Sequence, residues 1–238
     1  MKLDILAIAA HPDDVELACG GTLIKHIQAG KKVGILDLTR GDLGTRGTAA
    51  DRDVESKLAS EILGIQVREN LGFRDVFFSD DEEHQIEVIK VLRKYQPEIV
   101  LCNAPSDRHI DHGKASGLAS KACFLSGLRK IETEKDGFVQ QSWRPKQVFH
   151  YIQDYYHHPN IVIDVTGQME TKLQAILAYK TQFYNPNNEE PQTPISSRDF
   201  LDFLEARARS FGRLIHVTFG EGFIVQRPVG VELLSDLN

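Results

Sequence analysis

The sequence predicts an α/β layered fold built on a mainly parallel sheet, and three neighbouring segments carry that prediction. Leu3 to Ala10 (LDILAIAA) is a nearly continuous apolar run with no 3.6-residue period, as expected of a strand covered on both faces. Val15 to Ala29 then spaces Leu17, Ala18, Leu23, Ile24 and Ile27 as a helix would, with Gly30 placed to stop it. Val33 to Thr39 (VGILDLT) is a second apolar run. Together they make a strand-helix-strand unit, which in a parallel sheet crosses over right-handed.

The alternation continues downstream. Arg52 to Leu63 reads as a helix and Val67 to Leu71 as a short strand. Ser79-Asp80-Asp81-Glu82 has the form of a capping box opening a helix that runs to Tyr95, so its acidic cluster is read as a helix start. Glu98 to Cys102 is another buried strand, Asn103 to Asp111 a polar loop, and His112 to Leu128 a packed helix. Strands follow at Gln147 to Ile152 and Asn160 to Thr166, helices at Gln168 to Phe183 and Arg198 to Phe211, with Gly212 as the stop of the second, and a last strand at Glu221 to Gln226. Asn185 to Ser197 is the one long turn-rich stretch, of the kind that serves as a lid or an intersubunit contact.

Composition bounds the function. The chain has 238 residues, 41% of them hydrophobic, with no seam that would mark a domain boundary, so residues 1–238 are read as one domain. The formal net charge is −6 with dispersed basic residues, which argues against nucleic acid or an anionic membrane as the main partner and leaves small molecules. Three cysteines without CxxC spacing suit neither a disulfide framework nor a thiolate zinc site, and the expected setting is a reducing cytoplasm. Met1 to Ala10 is too short for a signal peptide, and no apolar stretch reaches about 18 residues.

Ligands of open α/β sheets gather beyond the carboxyl ends of the strands. Two loops placed there concentrate metal-type side chains: His11-Pro12-Asp13-Asp14 after the first strand, and His109-Ile110-Asp111-His112 after the strand ending near Cys102. His11 and Asp14, with Pro12 favouring a turn between them, can converge on one cation, and His112 would complete a His₂Asp set. Three protein ligands leave a fourth tetrahedral position for water, the arrangement of a catalytic rather than a structural zinc. Zinc lowers the pKa of bound water to about 7, so Asp13 beside the ligands is the candidate general base. His109 is the candidate for oxyanion support or proton donation, with Asp111 holding its imidazole in one tautomer. Taken singly, each residue has a plainer reading as a turn or helix-cap group. Two His/Asp clusters at two strand ends outweigh it. His157-His158 looks like a ligand pair, but adjacent side chains diverge, and a surface turn before Pro159 is expected.

The AHPDD segment with Glu16 and Gly21-Thr22, together with HIDH, resembles the LmbE-like/PIG-L family of zinc-dependent N-acetylglucosamine deacetylases, and within it most closely the bacillithiol-biosynthesis type that acts on N-acetylglucosaminyl-malate. Leu38-Thr39, Gly47-Thr48, Arg52, Asp107-Arg108-His109, Tyr179, Gln182-Phe183 and Glu221-Gly222-Phe223 extend the similarity over most of the chain. The resemblance implies a three-layer Rossmann-like fold with helices on both faces and a mixed C-terminal extension. It implies zinc, or another divalent transition metal, on His11, Asp14 and His112, with Asp13 as base and His109 paired to Asp111. It also implies a homo-oligomer, the relatives forming hexamers. Some mycothiol-pathway relatives carry a tyrosine where this chain has Asp107, which places more weight on His109. A malate-bearing sugar presents carboxylates, which guanidinium groups bind bidentately. Arg52 and Arg108 are the first candidates for them, ahead of Arg144, Arg46 and Arg40, and Asp75 is a candidate acceptor for sugar hydroxyls.

Other classes are less well served. The first strand-to-helix turn lacks GxGxxG and GxxxxGK[ST], and Asp13 and Asp14 are adjacent rather than spaced as a phosphotransferase pair. A metal-dependent hydrolase of another sugar conjugate, amide or phosphoester, is the alternative enzyme. A metal-stabilised binding protein is disfavoured, because a chain of this length seldom needs a metal to fold.

Overall fold

The computed structural model describes residues 1–135 and 137–236. The alternating side chains of β1 (Ile5–Ala9) organise it. Ile5, Ala7 and Ala9 enter one core while Leu6 and Ile8 enter the other, as period-2 geometry requires of a strand buried on both faces. The first core is completed by α1 (Asp14–Gln28), α2 (Ala49–Leu63), α5 (Met169–Leu177) and α6 (Arg198–Leu214). The second is completed by α3 (Glu82–Tyr95) and α4 (Ile110–Leu125). The result is the expected three-layer α/β architecture.

The seven-stranded sheet runs β3-β2-β1-β4-β7-β9-β8, with β2 at Val33–Thr39, β3 at Val67–Phe73, β4 at Ile99–Cys102, β7 at Gln147–Tyr151, β8 at Ile161–Asp164 and β9 at Gly220–Val225. The first five strands in that order pair parallel, and β9 pairs antiparallel with both β7 and β8, which is the mixed extension. From β1 the chain crosses to β2 on one side and later to β4 on the other. The carboxyl ends of β1 and β4 therefore flank the topological switch point, where loops diverge and leave a crevice.

Several boundaries differ from the sequence expectation, each for a local reason. Helix α2 begins at Ala49 rather than Arg52, because Thr48 and Asp51 form a reciprocal capping box. Helix α3 is capped by Asp81, with Ser79 bonding the Asp81 carboxylate instead of the backbone. Helix α4 begins at Ile110, with His109 as its cap, so the second histidine segment is a helix start and not a loop. Helix α5 ends at Leu177 and gives way to turns before Phe183. A small hairpin, β5 (Glu134–Lys135) with β6 (Phe138–Val139), is too short to leave a periodic signal.

Gly212 does not stop α6, which continues to Leu214. Its role is close approach: a Cβ there would lie 2.8 Å from the Val217 carbonyl oxygen and 2.9 Å from the Phe219 nitrogen, both backbone atoms. Gly212→Ala is expected to destabilise the fold by about 1–3 kcal/mol in denaturant unfolding, outweighing the helix-propensity gain of about 1 kcal/mol. Unchanged or raised stability would show that the backbone relaxes freely.

Candidate active site

Pro12 and Asp13 turn the chain from β1 into α1. Asp13 sits at the N-cap with φ 115°, a left-handed conformation uncommon for a residue with a side chain, and its carboxylate caps nothing. It is spent elsewhere: the Nη1 of Arg52 donates to Asp13 Oδ2 at 2.8 Å and to the Pro12 carbonyl at 2.6 Å. Burial pushes the Asp13 carboxyl up to about 6, although Arg52 beside it pulls the other way.

Asp14 is the hub of the site. Its Oδ1 lies 3.1 Å from His112 Nε2 and its Oδ2 lies 3.7 Å from His11 Nδ1. Asn103 Nδ2 donates to it at 3.1 Å, Gln153 Nε2 at 2.8 Å and the His11 backbone N–H at 3.0 Å. Burial opposes its ionisation, but the His112 and His11 imidazoles overcome this and hold the carboxyl well below the ordinary range.

Each imidazole facing Asp14 has a carboxylate behind it. Asp75 Oδ1 is 3.1 Å and Asp111 Oδ2 is 3.3 Å from His11 Nε2, and Asp107 Oδ2 is 2.7 Å from His112 Nδ1. Burial alone would depress both histidines, yet their carboxylate partners raise His11 well above its usual value and His112 to about 9. A centre this rich in carboxylates attracts positive charge. Among the described residues, His11, His109 and His112 offer ligand atoms all within 4.8 Å of one another, as do His11, Asp75 and Asp111. The donor chemistry suits a divalent metal. The three histidines form one such group, and Asp14 stands beside it with one oxygen towards His11 Nδ1 and the other towards His112 Nε2, without belonging to either group. The far nitrogens of His11 and His112 each meet a carboxylate that fixes the ring, as metal-ligating histidines usually require.

His109 differs from the other two histidines. Burial, followed by the positive charges of His11 and His112, lowers its pKa, so it is neutral at pH 7. Its Nδ1 accepts the Asp111 backbone N–H at 3.3 Å, which leaves the proton on Nε2. The expected pairing of the Asp111 carboxylate with His109 does not form. That carboxylate turns to His11, and accepts from the Val76 N–H at 3.0 Å and from Lys114 Nζ at 2.9 Å. The cause is the α4 start, which directs His109 back as a cap and Asp111 across towards β1.

A cavity of about 230 Å³ opens over these groups, with His11, Asp13, Asp14, His109 and His112 in its wall. Thr193, Pro194 and Ile195 line it too, so the turn-rich segment borders the site. Arg52, Arg108 and Asp75 also face the cavity, but each is engaged. Arg52 holds Asp13, Arg108 Nε donates to Asp154 at 2.7 Å, and Asp75 accepts the Leu43 N–H at 3.0 Å besides meeting His11. Arg40 pairs with Asp53 and Arg144 bonds the Phe124 carbonyl, while Arg46 is buried outside the cavity wall. His157 and His158 diverge to the carbonyls of Ser106 and Pro159.

Sequence reasoning missed the contacts of Asn103 and Gln153 with Asp14 and undervalued Asp107, because none carries a motif of its own. It did single out Glu16 and Gly21-Thr22, whose function proves to be support. Glu16 accepts from Arg68 Nη1 at 2.6 Å and from the Tyr179 hydroxyl at 2.9 Å, and Glu221 accepts the Gly21 N–H at 3.0 Å and the Thr22 N–H at 2.6 Å. Both carboxylates anchor α1 behind Asp13 and Asp14.

This geometry can be set beside known proteins. A profile described as PIG-L, GlcNAc-PI de-N-acetylase, matches residues 6–123, the span that holds both histidine segments. The diacetylchitobiose deacetylase of Thermococcus kodakarensis is 32% identical over 75% of this chain and 70% of its own length. The chain belongs to the PIG-L family. The crystal structure of a conserved protein from Thermus thermophilus shares this PIG-L member's fold with a TM-score of 0.87 and 35% identity, over 98% of each chain. A probable N-acetyl-α-D-glucosaminyl L-malate deacetylase 2 of Bacillus anthracis is 24% identical over 75% of this chain and 81% of its own. The enzyme class of this PIG-L protein is a deacetylating hydrolase, the class of the matched profile and of the Thermococcus kodakarensis relative.

Proposed function

We propose that this chain hydrolyses the N-acetyl group of an N-acetylglucosaminyl conjugate, with a divalent metal, zinc by preference, on His11, Asp14 and His112. The observation that carries the reading is the meeting of two histidine-bearing segments from β1 and β4 around Asp14, with Asp13, whose carboxylate caps no helix N–H, beside them in one cavity. When bound, the metal supplies Lewis-acid polarisation of water and of the amide carbonyl. Asp13 takes the proton of the attacking water, an action suited to a carboxyl pushed up to about 6. Arg52 fixes the orientation of that carboxylate. Neutral His109 donates through Nε2 to the oxygen on which charge develops. Asp13 then returns its proton to nitrogen as the C–N bond breaks, and acetate and the free amine leave.

The finer substrate is a malate aglycone as in bacillithiol biosynthesis, supported by the resemblance of the histidine motifs and by the Bacillus anthracis relative. The same reading includes a homo-oligomeric, cytoplasmic enzyme. Three buried free cysteines are consistent with a reducing compartment. Among the described residues no helix is long and apolar enough to cross a membrane.

Acetate release from N-acetylglucosaminyl-malate and from N,N'-diacetylchitobiose tests the proposal. Activity is expected to vanish on chelation and to return with zinc, while the melting temperature changes only modestly because a chain of this length buries two apolar cores that carry most of its stability. Full activity after exhaustive chelation excludes the metal reading, and phosphate release from a sugar phosphate without acetate release favours the phosphoester alternative.

A further inference from the structure

Helix α6 presents Phe200, Leu204, Arg207 and Phe211 at i, i+4, i+7 and i+11, the stripe that faces the protein. A guanidinium on an apolar stripe contradicts the local pattern, and such conflicts concentrate at functional sites. Its placement is fixed. Helix α1 is kinked at Cys19, the Gly21 N–H is given to Glu221, and Arg207 Nη2 donates to the Leu17 carbonyl at 2.9 Å. The other terminal nitrogen, Nη1, is buried and has no hydrogen-bond partner among the described residues.

No carboxylate forms an ion pair with Arg207 among the described residues. The three whose charges it feels are Glu221, Asp154 and Asp107. Each has its own cation: Glu221 pairs with Lys172, Asp154 with Arg108 and Asp107 with His112. Burial lowers the guanidinium to about 10, so it stays charged at neutral pH. Arg207 lines the catalytic cavity, and together with Asp154 it also lines a neighbouring one of about 200 Å³ bounded by Tyr156, Phe203 and Phe211. The Arg207 side chain thus borders both cavities.

We propose that Arg207 is the specificity residue of the site and binds a carboxylate on the aglycone of the acetylated sugar, through the buried Nη1 that no described group of the chain satisfies. The inference rests on the deacetylase reading for its substrate. It differs from the sequence expectation, because Arg52 and Arg108 each have a carboxylate partner, Asp13 and Asp154, whereas Arg207 has none among the described residues.

The test compares the zinc-loaded protein with Arg207→Met and Arg207→Lys. The preference for N-acetylglucosaminyl-malate over N,N'-diacetylchitobiose, as a ratio of kcat/KM, is expected to fall about tenfold in Arg207→Met, mainly through KM, with partial recovery in Arg207→Lys. Calorimetric binding of L-malate alone is expected to weaken by a similar factor. An unchanged preference together with unchanged malate binding overturns the proposal, as does an equal loss on both substrates. If Arg207→Met does not fold, Arg207→Lys carries the comparison, because it keeps the charge but lacks the fork. Absence of acetate release from the parent protein defeats the deacetylase reading alone, and malate binding still decides on Arg207.

Discussion

Asp13→Asn is expected to lower kcat for acetate release by about 10²–10⁴-fold while leaving metal content and fold in place. The asparagine keeps an oxygen to accept from Arg52 Nη1, which now donates at 2.8 Å, and asparagine tolerates the left-handed backbone at φ 115° better than most residues. What it loses is the capacity to take a proton from water. The carboxyl it replaces is set apart from its neighbour by environment: burial raises Asp13, whereas two imidazoles hold Asp14 down. Two adjacent carboxyl groups are thus driven to different tasks, one to carry a proton and one to carry charge. The measurement is steady-state acetate release beside metal analysis of the same sample. Turnover within about tenfold of the parent at full metal content overturns the base assignment.

Asp14→Ala is expected to abolish both metal retention and activity. Loss of a partner behind a ligand costs roughly 10–100-fold in metal affinity, and removal of the carboxylate between His11 and His112 should exceed that. It also strands the Asn103 and Gln153 side-chain amides, which now donate to Asp14 at 3.1 and 2.8 Å in a buried setting. Unsatisfied buried donors of this kind cost about 1–3 kcal/mol. A lower melting temperature without added metal should therefore accompany the loss. Stoichiometric zinc in the purified variant, measured by elemental analysis, would mean that the ligand set lies elsewhere, for instance on the three histidines alone.

The legible parts of the fold are those fixed by local pattern. Strand β2 has the same bounds in the sequence reading and in the structure, because it is mainly apolar and buried along its whole length, with Asp37 held by Arg68. Helix starts are less legible. His109 caps α4 with its ring, and a cap of that type has no strong sequence signature beside Ser, Thr, Asp and Asn. From that one shift follows the misreading of Asp111. Placed in a loop, its carboxylate could have met His109, but one turn of helix sends it to His11 instead.

The substrate-facing residues are harder to read because charge in a sequence does not reveal its partner. Arg52 and Arg108 sit next to recognisable motifs, yet each is paired with a carboxylate of the chain, whereas Arg207 lies far along the chain in an otherwise ordinary amphipathic helix.

The order of strands and helices, the two clusters of metal-type donors and their location after buried strands were all determined by the sequence itself, because apolar period and turn chemistry are local properties of a chain. Which nitrogen faces Asp14, which carboxylate stands behind each imidazole and which cavity-lining guanidinium has no carboxylate partner among the described residues were decided only by tertiary structure. Those facts depend on groups distant in sequence being brought within about 3 Å of one another, a distance set by packing and hydrogen-bond satisfaction rather than by neighbours along the backbone.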